Sequence, residues 1–109
     1  MPRVYVINDT GHDFTPATEY GEIRFIYELS PNIFALDKMF SDIRDQLLDA
    51  HGDDYLLPTG SIIANMLAFH ILMNRFGVVN LLIFSQRSGK YELRTIRARE
   101  EEECRNKTQ

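Results

Sequence analysis

The chain is short of the features that announce a chemistry. Cysteine occurs once, at Cys104 in a polar C-terminal stretch, so no intrachain disulfide forms and no Cys/His zinc spacing exists. A reducing compartment follows from that usage. Positive charge is outnumbered, 12 Lys and Arg against 16 Asp and Glu, although Arg87, Lys90, Arg94, Arg97 and Arg99 cluster late in the chain. The net charge of −4 argues against broad, non-specific nucleic-acid binding. No long apolar run is present. The stretch Ile62 to Met73 is too short to cross a bilayer and contains Asn65 and His70. Met1-Pro2-Arg3 leads straight into a strand-like segment with no apolar export signal. A soluble protein in the cytoplasm is the expectation, with no membrane partner. The lysine-bearing phosphate loop, the G-x-G-x-x-G dinucleotide fingerprint and the G-x-S-x-G nucleophile elbow are all missing. No cofactor and no metal are expected.

What is present suits one domain. The chain has 109 residues, 44% of them hydrophobic, enough for a core without disulfides or metal. Arg3 to Ile7 is nearly all apolar and reads as an interior strand. Turn formers Asn8 to Asp13 end it, and Phe14 to Glu19 has room for one helical turn around Pro16. Glu22 to Tyr27 reads as a second strand, at an edge. After Ser30-Pro31-Asn32 a helix starts near Asn32 or at Asp37. It buries Leu36, Met39, Phe40, Ile43 and Leu47, and Gly52 is its expected C-cap. Tyr55 to Leu57 is the third strand, Ile62 to Phe76 the second helix, and Val78 to Phe84 the fourth strand. Tyr91 to Arg97 alternates like a half-exposed edge strand and forms a hairpin with the fourth.

The fold class is therefore α/β, a single small Rossmann-like domain over residues 1–97 in the order β-β-α-β-α-β-β. The polar, charged segment 98–109 reads as a tail. The expected sheet is mostly parallel in the order 2-1-3-4-5, closing on the antiparallel C-terminal hairpin. Two or three layers remain open. An α+β sandwich with both helices on one face is the alternative.

The order 2-1-3 places a switch point between the first and third strands, where open α/β sheets bind ligands. The turns there are Asp9-Thr10-Gly11-His12-Asp13 and Thr59-Gly60-Ser61. Small residues let a ligand approach the backbone, and a helix beginning at Ser61 offers unpaired N–H groups to a phosphate. The same residues also serve any tight turn, and Ser61 serves any N-cap. His12, beside Asp9 and Asp13, is the one candidate for acid/base work. The second helix is apolar nearly all round, which points to a deeply packed element or a subunit interface through Asn65, Phe69, His70 and Met73. Arg94 and Arg97 point to opposite faces of the last strand and read as charges that keep an edge from pairing.

Val4 to Asn8, Gly11 to Phe14, Tyr20 to Ile23, Asp53 to Leu57, Asn80 to Phe84 and Tyr91 to Ile96 together resemble a group of small proteins encoded by bacteriophages. The resemblance covers most of the chain. It implies a small accessory protein of phage or prophage origin, working in the host cytoplasm, and transfers no catalytic residue. Three functions are compatible with these readings. The first is an oligomeric accessory protein holding a nucleotide-like ligand or modulating a host protein. The second is a virion assembly protein acting through subunit contacts. The third is a small phosphoester hydrolase.

Overall fold

The computed structural model describes residues 1–98, so the expected tail lies outside the described residues from position 99 on. It is a mixed α/β domain with one five-stranded sheet and two helices. The strands are β1 (Arg3–Val6), β2 (Glu22–Phe25), β3 (Tyr55–Leu56), β4 (Val78–Ser85) and β5 (Lys90–Arg97). The helices are α1 (Leu36–Gln46) and α2 (Ile62–Phe76), and a 3-10 turn occupies Thr15–Glu19. Along the sheet the order is β2-β1-β3-β4-β5. The first three pairings are parallel and only β4–β5 is antiparallel.

A Rossmann-like sandwich carries helices on both faces; this molecule carries both on one. Tyr5, Ile7, Leu56 and Val79 point to that face and meet Met39, Ile43 and Leu47 of the α1 segment and Ala64, Ala68, Ile71 and Leu72 of α2. The opposite face holds Val4, Val6, Leu57, Leu82 and Tyr91, covered by Phe14 and Ala17. Right-handed crossovers place connections that run in opposite directions along a sheet on opposite faces. The β1–β2 connection runs outward to the edge, whereas β2–β3 and β3–β4 run back. That outward connection is dense in turn formers from Asn8 to Asp13 and carries Pro16, so it yields one 3-10 turn where a full helix would stand.

Local signals set the ends of α2. Ser61 Oγ accepts from the Ala64 N–H at 3.2 Å, and the helix closes at Gly77 in the left-handed region. The α1 helix ends six residues before the expected Gly52, with Leu47 as its cap. The reason is tertiary. Arg75, on α2, donates Nη1 to Leu47 O and Nη2 to Leu48 O at 3.2 Å, taking up carbonyls that continued helix would have used.

Side chains occupy part of the outer edge of β5. Ala98 N donates to Gly77 O at 3.2 Å, which fixes the even-numbered residues of β5 as those bonded to β4. The odd-numbered carbonyls point outward. Tyr20 Oη donates to Tyr91 O at 3.0 Å, and Arg94 Nη1 donates to Leu93 O at 2.8 Å.

Candidate functional site

The carboxyl ends of β1 and β3 lie side by side, so their outgoing turns touch. Gly60 sits at φ +77°, and a Cβ there would lie 3.2 Å from Asn8 Oδ1 and 3.3 Å from the Thr10 methyl. Only glycine takes that conformation at so close an approach without strain. The crevice between the two turns is thus packed by Asn8 and Thr10 at this point.

The side chains expected to bind a ligand have partners of their own. Asp9 Oδ1 accepts from Gly11 N at 2.9 Å, and Asp13 Oδ1 accepts from Thr15 N at 2.9 Å. Hydrogen bonds from the Thr15 side chain and backbone hold the Asp13 carboxyl below the usual carboxylate range. Ser61 caps α2. His12 is exposed and lies edge-on to Phe14, with ring centroids 6.3 Å apart. Among the described residues no hydrogen bond joins His12 to Asp9 or Asp13. No group of three or more His, Cys, Asp or Glu side chains among them could hold a metal ion.

Two grooves flank this junction, one on each face of the sheet. The first, of about 420 Å³, lies between α2 and the ends of β3 and β4. Leu56, Leu81, Met66, Phe69 and Ile62 form its walls, with Thr59, Gly60 and Asn65 at one end. Ile62 and Met66 stand beside it 74% and 62% exposed. The second groove, of about 380 Å³, brings His12, Asp13 and Thr59 together with Leu82, Phe84 and Tyr91. Burial raises the Tyr91 phenol above its ordinary range, with Asp13 adding to the effect. Neither groove is lined by a lysine or arginine.

The structure divides the expected ligand set. His12 and Asp13 line the second groove, Gly60 lines the first, and Thr59 borders both. Of the expected interface residues, Asn65 and Phe69 line the first groove. Asn65 Nδ2 donates to Thr59 O at 2.9 Å and to Ser61 O at 2.7 Å, which ties the β3–α2 turn to the helix. Its Oδ1 is buried without a partner among the described residues. His70 instead pairs with Asn74 at 3.0 Å and approaches the Phe40 ring of α1 at 6.4 Å, while Met73 packs on the core.

Sequence reasoning missed the β2–α1 connection. Leu29 and Phe34 there are 81% and 89% exposed, and Ile33 and Leu36 are exposed beside them. The signal was an apolar set, Leu29, Ile33 and Phe34, interrupted by the turn formers Ser30-Pro31-Asn32.

A family model described as Phage Pam3 gp32-like protein matches residues 2–97. The chain belongs to the Phage Pam3 gp32-like protein family. It is therefore a phage-type protein, as the resemblance implied, and the match spans all five strands and both helices. No curated protein and no solved structure matches it. No helix among the described residues is long and apolar enough to cross a membrane.

Proposed function

We infer that this is a phage accessory protein that works by docking on protein surfaces, with the groove between α2 and β4 as its seat. The observation that carries the reading is the composition of that groove: about 420 Å³ walled by apolar side chains, uncharged throughout, with Ile62 and Met66 projecting at its rim. Exposed apolar surface of this kind marks partner sites. A phosphate-bearing ligand would find no cation in either groove, and the first of the two turns that would receive it carries Asp9 and Asp13. The assembly reading therefore stands ahead of a nucleotide site and of a hydrolase. A nucleotide site keeps one favourable observation, the contact between the β1 and β3 turns at the start of α2.

Photo-crosslinking tests the reading. A photoreactive amino acid in place of Met66 is expected to give discrete protein adducts in phage-infected cells. The same amino acid in place of Asp49, at the opposite end of the sheet, is expected to give none. Equal yields from the two positions, or none from position 66, overturn the reading. A rise in melting temperature with a nucleotide would then favour the ligand site, since a ligand at about 100 times its Kd stabilises the native state by ~2.7 kcal/mol.

A further inference from the structure

Most of the exposed apolar side chains are gathered at one end of the molecule, Met1, Leu48, Leu93 and Ile96 lying elsewhere. Phe25, Leu29, Ile33, Phe34 and Leu36 stand at the end of β2 and the entry to α1. Ile62, Ile63 and Met66 begin α2, and Ile83 and Phe84 end β4. Both helices follow parallel strands, so both start at the carboxyl ends of the sheet. Within that rim the projecting part and the recessed part are separate. The projection, Leu29 and Phe34, hangs from β2 at one edge of the sheet. The groove lies under α2 beside β4, toward the other edge.

Charge is divided along the same axis. Residues 19–49, which carry β2 and α1, hold seven acids against Arg24, Lys38 and Arg44. Residues 85–97, which carry the β4–β5 hairpin, hold Arg87, Lys90, Arg94 and Arg97 against the single acid Glu92. On the helix face Arg94 lies directly beside Leu81, a wall residue of the groove, and Glu92 lies beside Ile83.

Resting on the docking reading above, we propose that the occupant of the groove is a second copy of this chain, which inserts Phe34 and Leu29 of its acidic β2–α1 flank beside the basic β4–β5 flank. An apolar knob and an acidic flank on one side, facing an apolar hole and a basic flank on the other, form a complementary pair. The knob and the hole lie toward opposite edges of that rim, and the proposed contact is heterologous, each copy's knob seated in the next copy's hole. Such a contact leaves a free knob on one copy and a free hole on the other, and it propagates into a ring or a filament. A two-fold dimer, the commonest symmetric arrangement, would instead insert both knobs reciprocally and stop at two copies. The partial capping of the outer edge of β5 agrees with assembly through side chains, because continuation of the sheet from copy to copy would have to displace Tyr20 and Arg94 from the Tyr91 and Leu93 carbonyls.

The test is complementation between two defective variants, read by light scattering and sedimentation. Phe34→Ser removes the knob and keeps the hole; Met66→Glu places a charge at the hole and keeps the knob. Both residues are exposed, and unchanged circular dichroism and melting temperature verify that both variants fold. The wild-type chain is expected to form oligomers larger than a dimer. Each variant alone is expected to lose self-association by about 30-fold or more, the scale of a single interface hot spot. Mixed, the two are expected to form a 1:1 heterodimer that does not grow further. A wild-type chain that stays monomeric at millimolar concentration overturns the proposal, and so does oligomerisation that survives Phe34→Ser. A wild-type chain that stops at a dimer overturns it too, by indicating reciprocal two-fold insertion, and loss in both variants without rescue on mixing overturns the pairing of knob with hole. Adducts at position 66 to a different protein, together with a monomeric wild type, would defeat this proposal while leaving the docking reading intact.

Discussion

At the scale of single residues, the polar side chains inside the fold are explained by the backbone groups they satisfy. Asp54 is buried, accepting from Arg3 N at 2.9 Å through Oδ1 and from His51 N at 2.8 Å through Oδ2. It joins the start of β1 to the turn before β3. Asp54→Ala leaves both N–H groups without an acceptor and is expected to cost about 2–3 kcal/mol. A lowered denaturant midpoint at constant m-value would report it, with Asp54→Asn recovering part of the loss. Asn80, in the middle of an apolar run, donates to Gly52 O and Asp54 O and accepts from Thr95 Oγ1 at 2.9 Å. Tyr27 gives the molecule an alkaline weakness. Burial, with the Asp42 carboxylate beside it, raises its phenol to about 12, against about 10 in the unfolded chain. The folded state holds this proton more tightly than the unfolded one. The contribution is complete below pH 10 and is lost as pH rises toward about 12. Chemical denaturation at pH 9 and pH 11 is expected to show that fall in the wild type and a smaller one in Tyr27→Phe.

At the scale of elements, what could be read from the sequence depended on whether an element ends on local or distant partners. Ser61 and Gly77 bound α2 through their own backbone and side chain, so 62–76 was legible. The end of α1 was not, because Arg75 decides it from the neighbouring helix. The Arg75 guanidinium also lies over the Phe76 ring, with Cζ 4.9 Å from the centroid. Arg75→Ala removes the two charge-assisted bonds that tie the helices together and is expected to destabilise the fold by about 1.5–3 kcal/mol, with Arg75→Lys intermediate. Hydrogen exchange should show the loss concentrated in the last turn of α1 and in residues 47–49. The last strand was legible as an edge from its alternation, and Arg94 occupies that edge as expected. The contribution of Tyr20 was hidden, since its partner Tyr91 lies 71 residues away.

At the scale of the whole molecule, the mixed α/β class, the five strands and the two helices followed from the hydrophobic periods of the chain. The placement of both helices on one face did not. It depended on how little structure the β1–β2 connection could build between Asn8 and Gly21, a question of chain length and turn chemistry. The candidate site was legible as a position and not as a chemistry. The turns do meet between β1 and β3, but Asp9, Asp13 and Ser61 are engaged in local hydrogen bonds, as turn and capping residues commonly are. The apolar end of the molecule could not be found by periodicity, because Leu29, Ile33 and Phe34 lie outside any repeating element.

The central position of β1 has a consequence for synthesis. This strand leaves the ribosome before the other four, yet Val4 and Tyr5 meet Tyr55 and Leu56 only after about fifty more residues have been translated. Until then the nascent chain can offer β1 a partner on one side only, and its apolar residues stay within reach of chaperones and of other unfinished chains.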